Sequence, residues 1–290
     1  MGWPVDRPAG YAPALELSMR TERAGGDVRS PADLRGPAAG LPRERCVLLV
    51  HGYNNNDGEA AVAYFGFRGR QYGQFPALAP DGLEARFGDA FWPGDAQWWG
   101  PFDLLDFLFY PAAVGVARDE VPAVLAEAIG RIPHLVELEI VAHSLGCRVV
   151  LETLELLRHA GGPAVRRVCL MAAAVPCEFV EAGGRFAPLL VALQAGPTEI
   201  RVLHSTSDLV LGAAFLAGQP AAGEPSEAAL GYRGPPPGMP GFGANVSDLR
   251  IPNAGHGDYW GHGPDGTAAL DAGRFLALGE ARDVGTPRTV

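Results

Sequence analysis

Four short β-rich runs constrain this chain most: residues 46–50, 138–142, 168–171 and 200–203. Each is separated from the next by a segment in which apolar residues recur at helical spacing. Val116, Val121, Val124, Leu125 and Ile129 mark one such helix, and Val149, Val150, Leu154 and Leu157 mark another. Residues 46–50 form an unbroken apolar run stopped by His51-Gly52, which suits a strand buried on both faces. Strands alternating with helices predict an α/β fold, a mostly parallel central sheet with helices on both faces.

The remaining elements follow the same reading. Residues 15–19 alternate and predict an edge strand, 89–92 a short strand, and 246–251 a last strand. Helices are expected over 58–72, 116–131, 146–158, 178–194, 208–217 and 267–278. Residues 1–44 read as an irregular segment apart from the 15–19 strand, with 24–44 as loop. Residues 218–243 are dominated by Gly, Pro and small side chains and read as an extended surface loop. No repeat of 20–50 residues is visible, and the irregular segments fall inside the alternation. The expectation is one domain over residues 1–290.

Charge and composition narrow the function classes. Basic residues number 23, all arginine, against 33 acidic ones, a net charge of −10. No basic stripe exists to neutralise phosphates, so a nucleic-acid partner is not expected. The first residues lack a basic-then-apolar leader, and no apolar stretch is long enough to span a bilayer. Cys46, Cys147, Cys169 and Cys177 show no Cys-x-x-Cys spacing and read as reduced core thiols, which points to a cytoplasmic location. The histidines have no metal-ligand spacing, and no Gly-x-Gly-x-x-Gly follows the first strong strand. Neither a metal nor a cofactor is expected.

The chemistry concentrates in Val141-Ala142-His143-Ser144-Leu145-Gly146. A strand runs into a helix through one serine with small residues at −2 and +2. A nucleophile elbow needs this arrangement, because strand and helix approach too closely for larger side chains. The usual pattern has Gly at −2, and here Ala142 adds one methyl group. Some 90 residues earlier the 46–50 strand ends in His51-Gly52-Tyr53-Asn54-Asn55-Asn56, where Gly and Asn tolerate φ > 0. Such a turn can aim a backbone N–H at a developing oxyanion. The amide of Tyr53 or Asn54 would act with that of Leu145 at the helix N-terminus.

His-Gly-Tyr-Asn after a strand, then Trp92-Pro93, then Ala-His-Ser-Leu-Gly resembles the α/β-hydrolase superfamily on its lipase/esterase side. More narrowly it is similar to a bacterial group of such hydrolases whose function is largely unassigned. The resemblance covers roughly residues 45–260. It implies a triad in the chain order Ser, acid, His, and Ser144, Asp208 and His256 fit that order. Glu178 competes with Asp208 for the acid, and His262 with His256 for the base. His51 and His143 read as structural. The activity implied is ester hydrolysis on a small-molecule substrate with an apolar acyl group. Acyl transfer by the same triad and a catalytically silent binding protein are the alternatives. The unusually aromatic segment 98–111 reads either as core or as a pocket wall, with Trp98, Phe102 and Phe107 as candidate substrate contacts.

Overall fold

The computed structural model describes residues 6–41, 43–77, 83–95, 110–262 and 266–279. These residues form one eight-stranded sheet from β1 (Glu16–Arg20), β2 (Val28–Arg35), β3 (Arg45–Val50), β4 (Phe87–Phe91), β5 (Glu137–His143), β6 (Ala164–Met171), β7 (Glu199–His204) and β8 (Val246–Arg250). Their order is β2-β1-β4-β3-β5-β6-β7-β8. Only the β1–β2 pair is antiparallel. Helices flank the sheet in packed pairs, α1 (Asp57–Gln74) against α5 (Thr267–Phe275) and α2 (Val121–Gly130) against α3 (Gly146–Ala160). This is the mostly parallel, helix-covered architecture expected of the α/β-hydrolase fold. The central strands β3 and β5 are buried along nearly their whole length, which is why they carry apolar side chains on both faces. All four cysteines are buried and unbridged.

Three expectations need correction. First, β1 is not an edge strand, because residues 24–44 contain β2, which pairs with it. β2 has no apolar run and carries Pro31, a residue that edge strands tolerate because their outer N–H groups need no partner. Second, the helix expected over 178–194 is broken. A single turn, Cys177–Val180, and α4 (Ala187–Gln194) are separated around Gly183, whose φ is +86°.

Third, residues 218–243 are no solvated excursion. Gln219, Ala229, Leu230 and Met239 are buried. The Leu230 and Gly231 amides donate to the Val175 and Ala173 carbonyls at 2.8 and 2.9 Å, and the Ser205 amide donates to the Gly231 carbonyl at 3.0 Å. The segment thus threads between the ends of β6 and β7. A buried ion cluster fastens it to α3: Arg148 donates to both oxygens of Glu224, at 3.0 and 3.3 Å, and to Glu152 at 2.8 Å. Removing Arg148 leaves two buried carboxylates short of a counter-charge. Arg148→Met is expected to cost about 3 kcal/mol, the low end for breaking a buried pair because Arg118 and Arg185 still reach the acids. Urea unfolding checks this, and a loss below about 1 kcal/mol would show that the cluster does not fasten the segment.

Candidate active site

Strand register decides what gathers at the carboxyl edge of the sheet. Val50 of β3 lies beside Ala142 of β5, so the His51-Gly52 turn and Ser144 leave the sheet next to one another. β7 ends at His204 beside Arg250 of β8, and the loops that follow carry Asp208 and His256. Four chain-distant segments therefore meet at one edge, where open α/β sheets bind ligands.

Ser144 sits at φ +53°, a left-handed conformation that is uncommon for a residue with a Cβ. Its amide donates to the Met171 carbonyl at 3.0 Å, and its carbonyl accepts from the Cys147 and Ala174 amides. Those bonds hold the strained turn in place. The +2 position has no room for a side chain, since a Cβ on Gly146 would fall 2.2 Å from the His51 carbonyl oxygen. At −2, by contrast, the methyl of Ala142 is accommodated in full burial. Gly52 meets the elbow from the other side, where a Cβ would lie 2.6 Å from that of Ser144. Both glycines are required by close backbone approach.

The Ser144 hydroxyl is 2.9 Å from His256 Nε2, and His256 Nδ1 is 2.7 Å from Asp208 Oδ2. An ionised carboxylate only accepts, so the imidazole proton resides on Nδ1 and the Nε2 lone pair faces the hydroxyl. Asp208 is fully buried, and its second oxygen accepts the Leu211 amide at 3.0 Å. One carboxylate thus both caps the following turn and orients the imidazole. The rival residues lie elsewhere. Glu178 is exposed on the Cys177–Val180 turn, and His262 is exposed with its Nε2 donating to the Val62 carbonyl of α1 at 3.1 Å.

His51 is fully buried and stacked on Trp92, with ring centroids 5.5 Å apart. Burial pushes its pKa down to about 3, so the ring is neutral. The Trp92 amide donates to Nε2 at 3.2 Å, which leaves Nδ1 to donate to the Gly52 carbonyl at 2.8 Å. The Trp92 indole N–H in turn donates to the His51 carbonyl at 2.9 Å. Because the Gly52 carbonyl and the Tyr53 amide belong to one planar peptide, this bond fixes the direction of the Tyr53 N–H. The Asn54 amide donates to the Gly94 carbonyl at 2.6 Å. That bond engages the amide of Asn54, one of the two alternative oxyanion donors that the sequence offers. No described group accepts from the Leu145 amide.

Two further residues shape the edge, of which Arg20 has no role in the sequence reading. Arg20, buried at the end of β1, donates to the carbonyls of Asn55 (3.2 Å) and Trp92 (3.1 Å) and pairs with Asp95 at 2.6 Å. An arginine closing an alternating strand was the available signal. His143, read as structural, donates from Nε2 to the main-chain carbonyl of His256 at 2.8 Å. Burial, together with the neighbouring His256, pushes its pKa down to about 3. Trp98, Phe102 and Phe107 lie outside the described residues. Among the described residues, no group of three His, Cys, Asp or Glu is placed to hold a metal ion, and no helix is long and apolar enough to cross a membrane.

No protein-family model and no curated protein matches the chain. Solved structures resemble the chain at low identity. A gene product of Listeria innocua is 12% identical over 84% of this chain and 96% of its own, with a TM-score of 0.49. Carboxyl esterase 2 of Tuber melanosporum is 10% identical over 96% and 91%, with a TM-score of 0.48. An esterase of Pyrobaculum calidifontis is 14% identical over 82% and 77%, with a TM-score of 0.43.

Proposed function

We propose that this chain is a serine esterase. The observation that carries the reading is the unbroken line Asp208–His256–Ser144, with both contacts under 3 Å. In this scheme Ser144 Oγ attacks the ester carbonyl carbon while His256 Nε2 takes the hydroxyl proton, and Asp208 stabilises the resulting imidazolium. The tetrahedral oxyanion lies against the amides of Leu145 and Tyr53. Collapse breaks the carbonyl–alkoxy bond, and His256 returns the proton to the departing alcohol. Water, deprotonated by His256, then attacks the acyl-enzyme carbonyl; collapse breaks the bond to Ser144 Oγ, His256 returns the proton to that oxygen, and the acid leaves.

Labelling by a fluorophosphonate probe, alongside turnover of p-nitrophenyl esters, tests the reading. An activated serine reacts with the probe, whereas a silent binding protein of this fold stays unlabelled.

The acyl side is proposed to be apolar, on the strength of the aromatic composition of residues 98–111. Each methylene buried contributes about 0.8 kcal/mol, roughly fourfold in kcat/KM, until the pocket is full. A p-nitrophenyl series from acetate to octanoate is expected to rise toward hexanoate or octanoate, and Phe102→Ala or Phe107→Ala to flatten it. A steady fall from acetate would mean a small, closed acyl site.

A further inference from the structure

The histidine before the nucleophile reaches across to the base. His143 ends β5, one residue ahead of Ser144, and its ring lies 4.9 Å from that of His256, centroid to centroid. It is 5% exposed and packs against Tyr259 and Trp260, the aromatic residues of the loop that carries His256. A carbonyl oxygen can only accept, so the 2.8 Å contact to the His256 carbonyl requires the proton of His143 on Nε2. The other nitrogen, Nδ1, is buried and has no hydrogen-bond partner among the described residues. The ring therefore makes one directed bond, and that bond ends on the main chain of the residue facing Ser144.

The rest of the loop explains why this matters. The Ile251 amide ties its start to the His204 carbonyl, and Asp258 closes it locally by accepting the Gly255 amide at 2.7 Å. Among the described residues, no other group from outside the loop bonds the backbone of His256. The links then close a ring: the Ser144 hydroxyl to the His256 side chain, the His256 carbonyl to the His143 side chain, and His143 through one peptide bond back to Ser144. A displacement of the late loop away from the elbow must break this ring. Small errors in such distances are costly to a proton transfer, which requires the base within hydrogen-bond reach.

Resting on the esterase reading above, we infer that His143 is a positioning residue, whose Nε2–H fixes the backbone of His256 so that its imidazole meets the Ser144 hydroxyl. It touches no substrate. Its neutral state suits the place, since a second cation beside His256 would oppose the imidazolium formed during turnover.

The test compares His143→Leu, which keeps bulk and removes the donor, with His143→Gln, whose amide can present a donor near the Nε2 position. Three readouts are taken: kcat and KM on a p-nitrophenyl ester, the rate of fluorophosphonate labelling, and the downfield proton resonance of the His256 Nδ1–H. His143→Leu is expected to lower kcat and labelling by about 10–100-fold, with KM within about twofold, and to broaden the resonance. His143→Gln is expected to recover much of the rate and the resonance. Leu at wild-type kcat would overturn the inference. So would equal losses in both variants accompanied by equal falls in Tm, because a packing role does not distinguish the donor. If Ser144→Ala keeps wild-type turnover, the esterase reading itself fails, a result separable from either of these.

Discussion

Ser144→Ala is expected to remove nearly all ester hydrolysis and to abolish fluorophosphonate labelling while the protein stays folded. The expected fall in kcat is about 10⁵–10⁶-fold, the scale seen when a triad nucleophile is removed. Folding should survive because the strained φ of +53° is held by backbone bonds, from the Ser144 amide to Met171 and from the Cys147 and Ala174 amides to its carbonyl. Alanine retains all of them. The hydroxyl makes its described hydrogen bond to His256 alone, so its loss leaves no other described donor or acceptor unpaired. A residual rate over water should remain, because the Leu145 amide and the substrate-binding surface are untouched. Circular dichroism and Tm check the fold, and p-nitrophenyl ester turnover checks the chemistry. Wild-type turnover in this variant would remove Ser144 from the mechanism.

The elbow was legible in the sequence because its signals are local. A buried strand, one serine and a glycine at +2 lie within six residues, and the glycine requirement is visible as a 2.2 Å clash with His51. The sheet was legible for the same reason, since β3, β5, β6 and β7 each announce themselves by β-rich composition. What escaped depends on partners far along the chain. β2 lacks an apolar run and becomes a strand only because β1 supplies the other half of its ladder. Residues 218–243 look solvent-borne from composition, yet Glu224 is committed to Arg148, 76 positions away. Asn54 and Tyr53 are equivalent as oxyanion donors in the sequence, and the approach of the Gly94 carbonyl to the Asn54 amide is visible only in the fold. The bond from His143 to His256 spans 113 positions and leaves no pattern that a linear reading could detect.

Asp208→Asn is expected to lower kcat by about 10⁴-fold with little change in stability, and His256→Ala to cost at least as much. The amide keeps one oxygen, so the cap on the Leu211 amide can persist. Its NH₂ group, however, faces His256 Nδ1 as a donor where an acceptor is required. The imidazole then favours the tautomer protonated on Nε2, which cannot take the Ser144 proton. Asp208→Ala loses the cap as well and should therefore lower Tm in addition to kcat. Glu178→Gln and His262→Ala serve as matched comparisons, since Glu178 is exposed and His262 is bonded to the Val62 carbonyl. Each is expected to leave kcat/KM within about twofold of wild type. A larger loss in Glu178→Gln than in Asp208→Asn would reassign the acid, and the histidine pair decides the base in the same way. Combining Ser144→Ala with His256→Ala should add almost nothing to the loss from Ser144→Ala alone. A base without its nucleophile has no proton to take, so a further large loss in the double variant would mean that His256 acts on something other than Ser144.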